Sequence, residues 1–237
     1  MVDLDIRALT FDVFGTVVDW RGSIGREGSV WGDTRKLELD WFAFADAWRG
    51  LYQPAMEKVR TGELDWINLD GLHLMNLHQL LEEFELDHLD KDELNHINTM
   101  WHRLDPWPDS VTGMNRLKTK FTLASLSNGN VALIVNMAKR SQIPWDTILG
   151  AEVVGHYKPE PQAYTKSVEL LGIKPSQTLM VAAHNSDLAA ASAVGLKTAF
   201  VRRPNEYGPS QSPDTTPTAD YNFVAEDLIH LAEQLGT

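Results

Sequence analysis

The side chains of this 237-residue chain best suited to chemistry lie in four short segments. Asp12 stands within Phe11-Asp-Val-Phe-Gly-Thr16, where Gly15 permits a sharp turn that leaves the carboxylate at the end of an apolar run. Ser127-Asn-Gly129 combines a hydroxyl, an amide and backbone N–H groups that can be aimed at an anion. Lys158, in Tyr157-Lys-Pro159, brings an ammonium, and Asp187 closes Ala182-Ala-His-Asn-Ser-Asp187 with a second carboxylate. Singly these are ordinary: an Asp before Gly-Thr is usually an Asx turn or helix cap, Ser-Asn-Gly a turn, Lys-Pro a surface step. Together they can act only if the fold brings four distant segments to one crevice.

The runs between these segments predict such a fold. Ile6–Val13 is short, apolar and rich in β-branched residues, as in a buried strand. After Asp105-Pro-Trp-Pro108, where two prolines stop any helix, strand-like runs at Phe121–Leu126, Glu152–Val154, Thr178–Ala182 and Lys197–Val201 alternate with helix-like runs near 131–140, 161–171 and 188–194. This alternation predicts an α/β fold with an open parallel sheet and helices on both faces, in which ligands bind beyond the carboxyl ends of the strands. The four segments fall at those ends. Residues 20–105 differ: Leu37, Trp41, Phe44 and Trp48, then Ile67, Leu74, Leu77, Leu81 and Phe84, recur at helical spacing. Asp90 and Glu93 read as a capping box ahead of Leu94, Ile97, Trp101 and Leu104. The expected organisation is a core of residues 1–19 and 106–237, with a helical domain of residues 20–105 inserted after strand 1. Residues 202–220, with several prolines, read as a surface loop, and 225–235 as a terminal helix.

Composition narrows the chemistry further. The chain is 43% apolar and 23% charged, the profile of a globular protein. Without cysteine it has no thiolate zinc site, iron–sulfur cluster, Cys nucleophile or disulfide. A net charge of −12 repels nucleic acid and anionic membranes, although a few Arg or Lys can still make one pocket positive. The opening MVDLDIRALTF is acidic and no apolar stretch approaches ~18 residues, so a cytoplasmic location is expected. His73 and His78 miss the spacing of a helical metal pair, and neither a Walker loop nor a dinucleotide glycine fingerprint is present. No cofactor and no metal are assigned.

In these residues the chain resembles the haloacid dehalogenase superfamily. Asp-x-Phe-Gly-Thr at 12–16, Ser-Asn-Gly at 127–129, Lys-Pro at 158–159 and Asp187 follow its order over essentially the whole chain, and the helical insertion falls where its members carry a cap. The resemblance implies a Rossmann-like core and a covalent aspartyl intermediate at Asp12. Phosphatases of the superfamily carry a second acid two residues after the nucleophile and bind Mg²⁺ through clustered carboxylates. Here the first position is Phe14, which cannot donate a proton, and the late segment offers only one carboxylate. A departing halide needs no general acid, so the resemblance narrows to the 2-haloacid dehalogenases.

That family implies roles for individual residues. Asp12 attacks the halogen-bearing carbon in line and expels halide, and water then cleaves the ester at the aspartyl carbonyl, inverting the 2-carbon overall. Lys158 is not needed to ionise Asp12, since a free Asp of pKa about 3.9 is already anionic at pH 7. It opposes the effect of burial and fixes the angle of attack. Thr16 and Ser127 orient carboxylates or stabilise an oxyanion, and Asp187 or His184 positions water. Arg49, in a Trp-Arg context, holds the substrate carboxylate or sits beside the halide, and Arg21 is a second candidate cation. Asn128, Phe14, Tyr164 and Ser186 complete the expected substrate and halide pocket. Where better-known members read Ser-Ser-Asn with an aromatic before the last Asp, this chain has Ala182-Ala-His184 and Ser186, a more polar cradle suited to fluoride. The expected partner is a small anionic haloacid, and the family implies a homodimer. A Mg²⁺-dependent small-molecule phosphatase and a non-catalytic binding protein on the same scaffold are the competing readings.

Overall fold

Ala8–Phe11 (β1) is buried along its whole length, as a strand covered on both faces must be. The computed structural model describes residues 5–209 and 215–237. It divides the chain into two compact units, Met1–Asp19 with Asp105–Thr237, and Trp20–Leu104. In the first unit Val18–Asp19 (β2) pairs antiparallel with Asp105–Pro106 (β3). The remaining strands are Thr122–Ser127 (β4), Thr147–Gly150 (β5), Thr178–Ala182 (β6), Lys197–Val201 (β7) and Phe223–Ala225 (β8). They join β1 in one six-stranded sheet of order β5-β4-β1-β6-β7-β8, parallel throughout.

The order turns outward from β1, so β1, β4 and β6 deliver their carboxyl ends side by side, at the switch point where ligands of such sheets bind. Register sets the alignment: Phe11 lies opposite Ser125 on one side and Val181 on the other, and the Asp12 N–H donates to the Val181 carbonyl at 3.0 Å. The helices Val131–Ser141, Pro161–Leu170 and Asn185–Ala193 link successive strands. Leu126, Met180, Ala182 and Phe200 of the sheet pack with Tyr164, Val168, Leu188 and Ala191 of the helices.

In the second unit the expected helical character holds, with Trp20, Trp41, Phe44, Trp48, Leu72, Leu77, Ile97 and Trp101 all at 2% exposure or less. Asp40 caps helix Trp41–Gly50 through the N–H groups of Phe42 and Ala43, and Asp90 with Glu93 forms the predicted capping box of Lys91–Asn98. The helix containing Leu74 and Leu77 spans Leu69–Leu80, so Ile67, Leu81 and Phe84 lie outside it.

The structure departs from the periodicity elsewhere. Glu152–Val154 is not a strand. It belongs to the helical turn Ala151–Val154, set between Gly150 at φ 132° and Gly155 at φ 73°, and the strand is the preceding Thr147–Gly150. Two adjacent valines mimic a strand where flanking glycines turn the chain. A sixth strand, Phe223–Ala225, and a helix, Ser110–Lys118, have no counterpart in the pattern, because a three-residue edge strand is too short to show a period. Ala225 accordingly ends a strand, and the terminal helix is Leu228–Gln234. Helix Trp20–Arg35 opens the expected helical region ahead of the first periodic run at Leu37, with four glycines among its residues. Cβ atoms added at Gly28 and Gly32 would lie 2.4 Å and 2.6 Å from Trp41, so these glycines trade helix propensity for close packing on the indole. Of the loop read over 202–220, residues 210–214 lie outside the described residues.

Candidate active site

Segments beyond four strands of the first unit, β1, β5, β6 and β7, build one buried cluster of charge. After β1, the chain turns at Gly15 (φ 85°) and folds Thr16 back, so that the Thr16 hydroxyl donates to Asp12 Oδ2 at 2.7 Å. The same hydroxyl accepts from the Ala183 N–H at 2.9 Å, which ties the turn to the chain leaving β6. Phe14, 2% exposed, is wholly within the core and packs beside Gly129. After β4, the Ser127 hydroxyl accepts from the Gly129 N–H at 3.0 Å and Asn128 Oδ1 accepts from the Lys158 N–H at 2.8 Å. Ser127 therefore shapes its turn, and Asn128 positions the backbone of Lys158.

Lys158 Nζ bridges the two acids, donating to Asp12 Oδ1 at 2.9 Å and to Asp187 Oδ2 at 2.5 Å. Asp187 lies in the first turn of helix Asn185–Ala193, and its Oδ1 accepts from the Tyr164 hydroxyl at 2.5 Å. Tyr164 is thus both a core residue and a direct partner of the site. Beside Asp12, His184 Nδ1 stands 3.0 Å from Oδ2, while Nε2 stands 2.9 Å and 3.0 Å from the two Glu206 oxygens. Both ring nitrogens face carboxylates, so both carry protons and the ring is an imidazolium.

Burial dominates every titration here, and the neighbours decide its outcome. Desolvation pushes the Asp12 carboxyl up, but the Lys158 ammonium and His184 outweigh it and hold Asp12 far below the ordinary carboxylate range. Desolvation likewise disfavours charged Lys158 and His184, yet Asp12 and Asp187 raise the former, and Glu206 with Asp12 raises the latter well above its usual value. Asp187 is raised, by burial and by the negative charge of Asp12, which together exceed the pull of Lys158. The pair of acids is therefore split: Asp12 stays ionised while Asp187 holds a proton more readily.

Glu206 is the member that the sequence reading lacks. It lies beyond β7 in a proline-flanked loop, is 4% exposed, and fits against the turn so closely that a Cβ on Gly15 would fall 2.0 Å from Glu206 Oε1. Its only sequence signal is an acid placed soon after a core strand. Arg203 braces the same loop: Nε donates to the Thr16 carbonyl at 2.8 Å, and both terminal nitrogens bind Asp109, at 2.9 Å and 2.8 Å.

Three expectations meet a different environment. Ser186 is exposed on its helix and is not part of the cluster, because the helix turns it away from the face that carries Asp187. Arg21, in the second unit, is bound bidentately by Asp46 at 2.7 Å and 2.8 Å, which neutralises the cation proposed for substrate. His184 has both nitrogens committed, so it neither donates to a halide nor takes a proton from water as it stands. Arg49, also in the second unit, lies over Tyr52 with its guanidinium carbon 4.1 Å from the ring centroid, and 5.4 Å from that of Trp20. Among the described residues no group of three or more His, Asp or Glu side chains has the arrangement of metal ligands, and no helix is long and apolar enough to cross a membrane.

Comparison with known proteins gives concordant results. A model of haloacid dehalogenase-like hydrolases matches residues 6–195. The (S)-2-haloacid dehalogenase 4A of Burkholderia cepacia is 27% identical over 228 residues, covering 87% of this chain and 88% of the relative. The crystal structure of an L-2-haloacid dehalogenase, 47% identical, superposes with a TM-score of 0.93 over 97% of this chain and 98% of its own. That of a defluorinating L-2-haloacid dehalogenase, 44% identical, gives 0.95 over 98% and 96%.

Proposed function

This chain belongs to the 2-haloacid dehalogenase family of the haloacid dehalogenase superfamily, hydrolases acting on carbon–halide bonds, and we propose that it converts short 2-haloalkanoic acids of the haloacetate type to 2-hydroxy acids through an ester on Asp12. The carrying observation is the state of Asp12: buried, ionised, and gripped on one oxygen by Lys158 and on the other by Thr16 and His184. A carboxylate stripped of water and held at a fixed angle is a competent nucleophile toward carbon. Phe14, two residues on, gives a phosphoryl leaving group no acid.

The residues do not fit the magnesium ion of the superfamily's phosphatases. Lys158 fills the space between Asp12 and Asp187, and an imidazolium adjoins Asp12 Oδ2, so a divalent ion would be drawn toward two cations. The reaction is accordingly read as independent of metal. Both cations of the cluster are spent on its own carboxylates, so the substrate carboxylate needs another, and Arg49 takes that role in this reading. Relatives named for (S)- and L-2-haloacids support the (S)-enantiomer as substrate, with inversion at the 2-carbon. The defluorinating neighbour supports fluoroacetate as one of the acids accepted. A homodimer, on the family resemblance, and a cytoplasmic location, on the acidic opening and the lack of a long apolar run, complete the reading.

The test is one turnover in heavy-oxygen water with enzyme in excess. Label should enter the Asp12 peptide, read by mass spectrometry, and the product should carry none. Label found only in the hydroxy acid would replace the ester with direct attack of water on carbon. In parallel, halide electrodes should register release from fluoroacetate, chloroacetate and bromoacetate in the presence of a chelator. Release of phosphate from organophosphates only with a divalent ion present, with the haloacetates left untouched, would favour the phosphatase reading.

A further inference from the structure

We propose that His184 is the oxyanion donor for the second half-reaction and that Glu206 is the positioning residue that holds it there. The proposal rests on the aspartyl-ester reading and concerns His184, where this chain departs from the family motif, and Glu206, which lies outside the motifs.

The two oxygens of Asp12 are held differently. Oδ2 receives the Thr16 hydroxyl at 2.7 Å and His184 Nδ1 at 3.0 Å, which occupy its two lone-pair directions. Oδ1 receives Lys158 at 2.9 Å, and no other donor to it is found among the described residues. Oδ1 is therefore the oxygen with a lone pair to give, and it forms the bond to the 2-carbon as the carbon–halogen bond breaks and halide leaves with its electron pair. Oδ2 then becomes the carbonyl oxygen of the ester. When water adds to Cγ, negative charge collects on Oδ2, between a hydroxyl and an imidazolium that are already in place.

Glu206 makes that arrangement possible. A neutral imidazole could keep its one proton on Nε2 and present a lone pair to Oδ2, which would repel the developing charge. Glu206, holding Nε2 at 2.9 Å and 3.0 Å, stabilises the doubly protonated ring, so Nδ1 always donates. The glutamate is buried and reaches the ring over Gly15, whose missing side chain leaves the space. The charged groups around the ring are Asp12 beyond β1, Glu206 beyond β7 and, through Asp12, Lys158 and Asp187. With His184 committed, the proton of the attacking water passes to Asp187. As the tetrahedral species collapses, the Cγ–Oδ1 bond breaks, Asp187 returns the proton to the departing alkoxide oxygen, and Asp12, left as a carboxylic acid with one oxygen from water, releases its proton to solvent and is again a carboxylate.

Substituting Glu206→Gln keeps the size of the side chain and removes its charge. Pre-steady-state halide release from chloroacetate should remain a fast burst approaching one equivalent per Asp12, followed by turnover about 10²-fold slower, the usual effect of losing an oxyanion donor. Intact-protein mass spectrometry during turnover should show the ester accumulating to a larger fraction of the enzyme than in the wild type. His184→Gln should give the same burst and adduct, and the double variant should turn over no more slowly than His184→Gln alone, because Glu206 acts through the ring. If both variants slow the burst itself and no ester accumulates, while wild-type Asp12 still takes up heavy oxygen, the role assigned to His184 and Glu206 is wrong and the ester reading stands. If wild-type Asp12 takes up no label, the ester reading falls, and this proposal with it.

Discussion

At the scale of single residues, the site depends on splitting like groups by their surroundings. Asp12 and Asp187 share one ammonium, yet Asp12 is flanked by a second cation while Asp187 is met by the Tyr164 hydroxyl. Two carboxyl groups thereby acquire separate duties, one always ionised and one able to take and return a proton. Tyr164→Phe tests this division. Its hydroxyl lowers the already raised pKa of Asp187, so its loss raises that pKa further. Asp187 must be ionised to accept a proton, and activity fails as pH falls through its pKa. The acid limb of the kcat profile should therefore move to higher pH in the variant, with kcat at its plateau reduced about tenfold for the lost hydrogen bond to a charged group. An unmoved acid limb would place the proton elsewhere. His184 gives a second check, through stability. Its folded pKa lies above the unfolded value of about 6.5, so the stability it contributes is complete below that pH and is lost as pH rises through the folded pKa. Urea unfolding of wild type and His184→Gln should accordingly differ most in mild acid and converge in alkali.

At the scale of elements, the strand ends supply the acids, and the turns fix their angle. The loop between β1 and β2 holds Asp12, Gly15 and Thr16, and Arg203 clamps it by binding the Thr16 carbonyl and Asp109 together. Asp109 also accepts the Leu228 N–H at 2.8 Å, so one ion pair joins the nucleophile loop, the start of helix Ser110–Lys118 and the terminal helix. Removing one partner of a buried pair strands the other. Arg203→Ala should cost about 3–5 kcal/mol in chemical denaturation. A loss below about 1 kcal/mol would mean that the pair is solvated in solution. Gly15→Ala is expected to be harsher for function than for folding. Its Cβ would strike Glu206 in a conformation that alanine disfavours, so the burst-and-adduct behaviour of Glu206→Gln should appear in it too.

At the scale of the whole molecule, the two units rest on different physics. The α/β unit is held by a buried parallel sheet, whereas Trp20–Leu104 is held by aromatic contacts: His73 lies 4.2 Å from Trp101 in a stacked pair, and Trp48 meets Trp101 edge-on at 5.6 Å. Trp48 is fully buried and donates from its indole to the His73 carbonyl at 3.0 Å, so Trp48→Ala should destabilise that unit by about 3–5 kcal/mol, read by calorimetry. What could be read directly from the sequence follows from what is local. A strand that ends in an acid and a glycine turn, a hydrophobic period of three and four, and a capping box are properties of a few consecutive residues. Asp12, Lys158, Asp187 and the helical character of residues 20–105 were therefore visible without coordinates, and the motif order carried the family. Only the tertiary structure decided which groups meet. His184 reaches Asp12 across 172 positions and Glu206 across 22, Arg21 is claimed by Asp46, and Ser186 faces outward on the helix that turns Asp187 inward. Those meetings depend on strand order and on a glycine small enough to let a distant carboxylate pass, and no local pattern of residues encodes a distance between chain segments.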